Sequence, residues 1–144
     1  VSAVTLGAEL AAGPTPEEKV LFKLGEVSAS LSCSGGAAAP EAVLSASGPS
    51  GAHADSGLTA TNLEGRPPEG YPDLVNDVVL GPAPATVVKL ATNAKAPAEN
   101  VASLSATITT PAQVVQVNAY IDVKPSSFPN CLVHGSAYSV PATS

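Results

Sequence analysis

The stretch Val27-Ser28-Ala29-Ser30-Leu31-Ser32-Cys33 decides the fold. It alternates without a break. Val27, Ala29, Leu31 and Cys33 fall on one side, and three serines fall on the other. A period of two is the signature of a half-buried strand, because successive side chains of an extended backbone point to opposite faces. Ser34-Gly35-Gly36 ends the run with turn chemistry. The same alternation recurs at Val4–Leu10, where Val4, Leu6, Ala8 and Leu10 share a face before the Gly13-Pro14-Thr15-Pro16 break. It recurs again at Val114–Val123, with Val115, Val117, Ala119, Ile121 and Val123 on one side. Gln116, Asn118, Tyr120 and Asp122 take the other.

Further strands are read at Val20–Leu24, Ala42–Ser47, Leu58–Leu63, Leu74–Leu80, Thr86–Thr92, Val101–Thr109 and Cys131–Val140. Val101–Thr109 and Val114–Val123 form a hairpin across Thr110-Pro111-Ala112-Gln113. Turn residues return every 8–12 positions or so, the spacing of an antiparallel sandwich or barrel. Residues 1–144 therefore read as a single all-β domain, an antiparallel β-sandwich of Greek-key or jelly-roll type with about nine strands and one disulfide. Ala is a strong helix former, so Ala37–Leu44 and Ala94–Ala102 are kept as helical alternatives, and Asn93–Asn100 as a single helical turn. Glu64–Pro72 is a loop by its prolines and glycines.

The two cysteines carry the covalent argument. Cys33 is in phase with Val27, Ala29 and Leu31, and Cys131 with Val133, Gly135 and Ala137. Both thus face the buried side, and two cysteines allow one intramolecular pairing. A bridge suits an oxidising compartment. There is no CxxC, so a redox or metal role is not read here. The chain has no Trp, and an immunoglobulin domain would pack one on its bridge.

Phe22–Ser34 together with the late strand Cys131-Leu132-Val133-His134-Gly135-Ser136-Ala137 resembles exported two-cysteine β-sandwich proteins of high-GC, actinobacterial-type bacteria. The resemblance implies export and the sandwich fold. It implies no activity.

Composition narrows the function classes. The chain has 144 residues, enough to bury roughly 68–70% of its unfolded surface. Its hydrophobic residues are 44% of the chain and mostly Ala, Val and Leu, so each buries little area and a covalent staple helps. The net charge is −6, and six dispersed basic residues supply no basic face. Neither nucleic acid nor an anionic membrane surface is expected as a partner on that ground. No apolar run reaches the length of a membrane span. No Asn-x-Ser/Thr sequon occurs.

Few residues are candidates for chemistry. His53, Asp55 and Ser56 supply the residue types of a hydrolytic triad within a Gly/Ser-rich loop, but no Gly-x-Ser-x-Gly elbow accompanies them. His134 reads as a half-exposed strand residue beside Leu132, Ser136 and Tyr138. Asp73, Asn76 and Asp77 group oxygen ligands on a loop without the order of a calcium-binding motif. Glu17-Glu18 reads as a turn or a first helical turn. No catalytic residue, cofactor or metal site is assigned. The expected function is a non-enzymatic, exported structural or binding module, secreted or at the cell surface. A carbohydrate- or peptide-binding module using loops such as Glu64–Asp77, with Tyr71 as its aromatic, is the first alternative. A hydrolase with an unrecognised site is the second. The N-terminal strand is expected to pair within its own sandwich, giving a monomer. Strand exchange into an oligomer is the alternative.

Overall fold

The computed structural model describes residues 2–62, 74–92 and 99–142. Ten strands make two antiparallel sheets. They are β1 (Ser2–Leu10), β2 (Glu17–Leu24), β3 (Val27–Ser34), β4 (Glu41–Ser47), β5 (His53–Asn62), β6 (Leu74–Val79), β7 (Ala85–Ala91), β8 (Asn100–Thr109), β9 (Gln113–Val123) and β10 (Cys131–Pro141). The six-stranded sheet runs β1-β10-β9-β8-β5-β6 and the four-stranded sheet β2-β3-β4-β7. Strands β8, β9 and β10 form a meander, and β1 pairs beside β10 at its end although β2–β7 intervene in the chain.

The count is ten rather than about nine: each of the ten stretches read as a strand falls on one, with Leu63 outside the described residues. Three local readings are corrected. Ala37–Leu44 is not helical: Ala39 donates to the Gly36 carbonyl in a turn, and Glu41–Ser47 is β4 with Ala42, Leu44 and Ala46 buried. Burial of that alternating face outweighs the helix propensity of Ala. Ala94–Ala102 fails likewise from Asn100 onward, where β8 begins; 93–98 lie outside the described residues. Glu17 and Glu18 open β2 rather than a helical turn.

Both sheets pack their inner faces into one core. Leu6, Val133, Ile121 and Leu104 face it from the larger sheet, and Val27, Leu31, Leu44 and Leu90 from the smaller. Cys33 on β3 and Cys131 on β10 are bonded, Cα–Cα 5.9 Å, with both residues wholly buried. The bridge therefore joins one sheet to the other. An apolar void of about 10 Å³ is left between the layers, lined by Ala29, Ala46, Ala106 and larger neighbours. It holds a water at most, so this gap is too small for a ligand.

Three of the four sheet edges, all but β6, carry features that disfavour further pairing. The register of β2 on β3 steps between Val20 and Phe22, and Leu21 and Phe22 are both buried. The register of β4 on β7 steps between Leu44 and Ser45, where Val87 and Val88 are both buried. Such bulges bend an edge away from partners. On β1, which pairs with β10 of the same chain over nine residues, Lys19 donates to the Gly7 carbonyl at 2.8 Å and Glu17 accepts from the Ala11 N–H at 2.9 Å.

Asn130 ties the end of β1 to the β9–β10 loop. Its Oδ1 accepts from Ala12 N at 2.9 Å, and its Nδ2 donates to the carbonyls of Lys124 (3.0 Å) and Ser127 (3.2 Å). The residue is 5% exposed, so water does not replace these partners. Asn130→Ala is expected to cost about 2–3 kcal/mol, because it leaves buried backbone groups unpaired. The check is a lowered denaturation midpoint at an unchanged m-value. A midpoint equal to the parent's refutes this role.

Candidate functional site

The sandwich leaves two outer sheet faces, and the chemistry-bearing side chains collect on the larger. Period two sends His53 and Asp55 of β5 outward and Ser56 inward, where it is 4% exposed. The expected Gly/Ser loop is thus the first half of a strand, and its pleat separates the three triad residue types. His53 instead meets Asp77 of β6, Nδ1 to Oδ1 3.5 Å, with both side chains largely exposed. Asp55 stands opposite Asp77 across the β5–β6 ladder.

Asn76 and Asp77 lie in strand β6 rather than on a loop. Asp73, Tyr71 and the 63–73 stretch fall outside the described residues. Among the described residues, no group of three or more His, Cys, Asp or Glu could hold a metal ion. Cys33 and Cys131 are structural, sealed between the sheets.

The centre of the larger face is built by β8, β9 and β10. Tyr120 and His134 are direct partners across β9 and β10, and their rings lie 5.0 Å apart at 33°. His134 is exposed, as its phase opposite Cys131 requires. Further along, Thr107 Oγ1 donates to Gln116 Oε1 at 2.6 Å. Gln116 Nε2 in turn donates to Ser105 Oγ at 3.1 Å and Asn118 Oδ1 at 3.2 Å. The Thr107 and Ser105 bonds run from β9 to β8 and the Asn118 bond runs along β9, and together they hold the two amides in place. Gly57, Ser103, Ser105 and Asn118 line a shallow open depression beside them.

Asp122 continues the row towards the end of β9. Partial burial, a hydrogen bond to the Glu99 carboxyl and the Glu99 charge raise its pKa from 3.8 to about 7, and Lys124 opposes the rise. Its Oδ1 is buried without a partner. Desolvation, then the charges of Asp122 and Glu99, also push the Tyr120 hydroxyl up. A raised carboxyl means that the folded state holds the proton more tightly than the unfolded chain. Its contribution to stability is full below 3.8 and is lost as pH rises through about 7. Asp122→Asn is expected to flatten the stability profile across that window. Above it, the variant gains about 1 kcal/mol over the parent, a value reduced for the partly exposed position. Parallel profiles for the two proteins refute the assignment.

The outward row Gln116, Asn118, Tyr120 and Asp122 was readable from alternation alone. Its cross-strand partners Thr107, Ser105, His134 and Glu99 were not, because pairing joins residues distant in sequence. No family model, curated protein or solved structure matches this chain.

Proposed function

We propose that the chain is an exported, non-enzymatic β-sandwich module of the cell envelope or medium, acting through its surface rather than through an internal site. The observation that carries this reading is the Cys33–Cys131 bridge, wholly buried between the sheets. Disulfides of this structural kind form and persist in oxidising compartments. The resemblance to exported two-cysteine bacterial proteins points the same way. The placement of His53 and Asp55 outside and Ser56 inside supports a non-enzymatic role over the hydrolase alternative, because the triad residue types cannot meet.

The test is fractionation of the source cells, with alkylation of free thiols before lysis is complete. The expected result is protein in the envelope or medium with neither cysteine alkylated. Protein in the cytosol with two reactive thiols overturns the proposal.

A further inference from the structure

We propose that the outer face of the six-stranded sheet binds a neutral polysaccharide, laid along β10 between the Tyr120–His134 pair and Tyr138. This deepens the surface-module reading and rests on it. The aromatic groups are spaced for a chain of rings. Tyr120 and His134 pack against each other as one tilted aromatic pair, 5.0 Å between centroids, at one end of the track. Tyr138 lies four residues along the same strand and is 42% exposed. At the rise of an extended strand that separation is about 13 Å, room for two or three sugar rings. The C–H faces of sugars rest on aromatic rings, and their hydroxyls need both donors and acceptors.

Both are supplied between these aromatic groups. The Gln116 and Asn118 amides lie there with the hydroxyls of Ser105 and Thr107, already oriented by their mutual hydrogen bonds. Pre-orientation lowers the ordering cost of binding. The shallow depression lined by Ser103, Ser105 and Asn118 borders the track on its β8 side.

Charge selects the class of ligand. The track itself carries no carboxylate, and carboxylates stand around it. Glu9 and Asp122 flank Leu132 beyond the Tyr120–His134 end, and Asp55 is paired beside Thr107 with Asp77 next to it. Lys19, bonded to the Gly7 carbonyl opposite His134, and Lys124 beside Asp122 offset only part of this border, so an acidic polymer meets net repulsion and a neutral one does not. An extended peptide would dock on a sheet edge to satisfy its backbone. The edges β1, β2 and β7 are capped by charged side chains or bulged.

The test uses the whole chain with cellohexaose, maltohexaose, mannohexaose and chitohexaose as neutral probes. Polygalacturonate is the acidic probe and oligolysine the peptide probe, all read by calorimetric titration. The expected result is saturable binding of at least one neutral hexasaccharide. Tyr138→Ala and Asn118→Ala each weaken it about tenfold, equivalent to roughly 1.4 kcal/mol. Ser30→Ala, on the outer face of the other sheet, leaves it unchanged. All three positions face outward, and melting curves verify that the variants fold. Binding of none of the four neutral probes overturns the proposal. So does binding that survives both Tyr138→Ala and Asn118→Ala, or a preference for polygalacturonate or oligolysine. Localisation and thiol state are read separately, so loss of the glycan site leaves the test of export intact.

Discussion

Replacing the bridge as Cys33→Ala/Cys131→Ala is expected to lower the unfolding free energy by about 3–5 kcal/mol. The melting temperature should fall by about 10 °C, given the usual conversion for a chain of this size. The partners are 98 residues apart, so the bond closes most of the chain into a loop and restricts the unfolded ensemble. It also joins β3 of the smaller sheet to β10 of the larger, across a core assembled largely from Ala, Val and Leu. Such side chains bury little area each, which raises the share of stability resting on the bond. Alanine keeps the site apolar, so the variant measures the cross-link rather than a buried polar group. A second reading guards the interpretation. Freed of the cross-link, the unfolded chain expands, and the denaturant m-value should rise. A loss under about 1 kcal/mol with an unchanged m-value contradicts a structural role for the bridge.

Gly135→Ala is expected to cost about 3 kcal/mol or more, although the change adds one methyl group. A Cβ built on Gly135 would fall on the backbone of β9. It would lie 2.7 Å from Ala119 Cα and closer still to the Asn118 carbonyl oxygen. No side-chain rotation relieves a clash with backbone. Strand β9 cannot retreat either, since it pairs with β8 on its other side and buries Val117 and Ile121 in the core. Gly7, on the adjoining strand, is the control. A Cβ there meets nothing within 4 Å. Gly7→Ala should therefore stay within about 0.5 kcal/mol of the parent, as surface substitutions usually do. Equal midpoints for the two variants in equilibrium denaturation contradict this account.

Legibility followed the range of the interactions. The inward phases of Val27, Leu31 and Cys33, of Leu6 and Leu10, and of Val115 and Ile121 are properties of single strands, and they stand as read. His53–Gly57 was misread because its Ser, Gly and Asp residues resemble turn chemistry. The weak alternation of Ala52, Ala54, Ser56 and Leu58, all buried, was the available signal. Ala37–Leu44 misled through the opposite fault, a strong local propensity overruled by packing against the neighbouring strands. Gly135 looked like any small residue on an inward phase. Its necessity comes from the approach of β9, which no local pattern reports.

Sequence alone determined the all-β class, the inward phase of both cysteines and the outward row Gln116, Asn118, Tyr120 and Asp122. Each depends on the two-residue period of an extended backbone, and that period is written in neighbouring letters. Tertiary structure decided which strands lie side by side, and with them every constellation on the surface. It set β10 between β1 and β9, so that His134 lies against Tyr120. It brought Glu99 to Asp122, raising a carboxyl that alternation marked only as outward. It placed Asp77 within reach of His53 and turned Ser56 away from both. These contacts join residues brought together by strand pairing and chain crossovers. Pairing depends on the burial and hydrogen bonding of the whole sandwich at once, so no local window of sequence contains it.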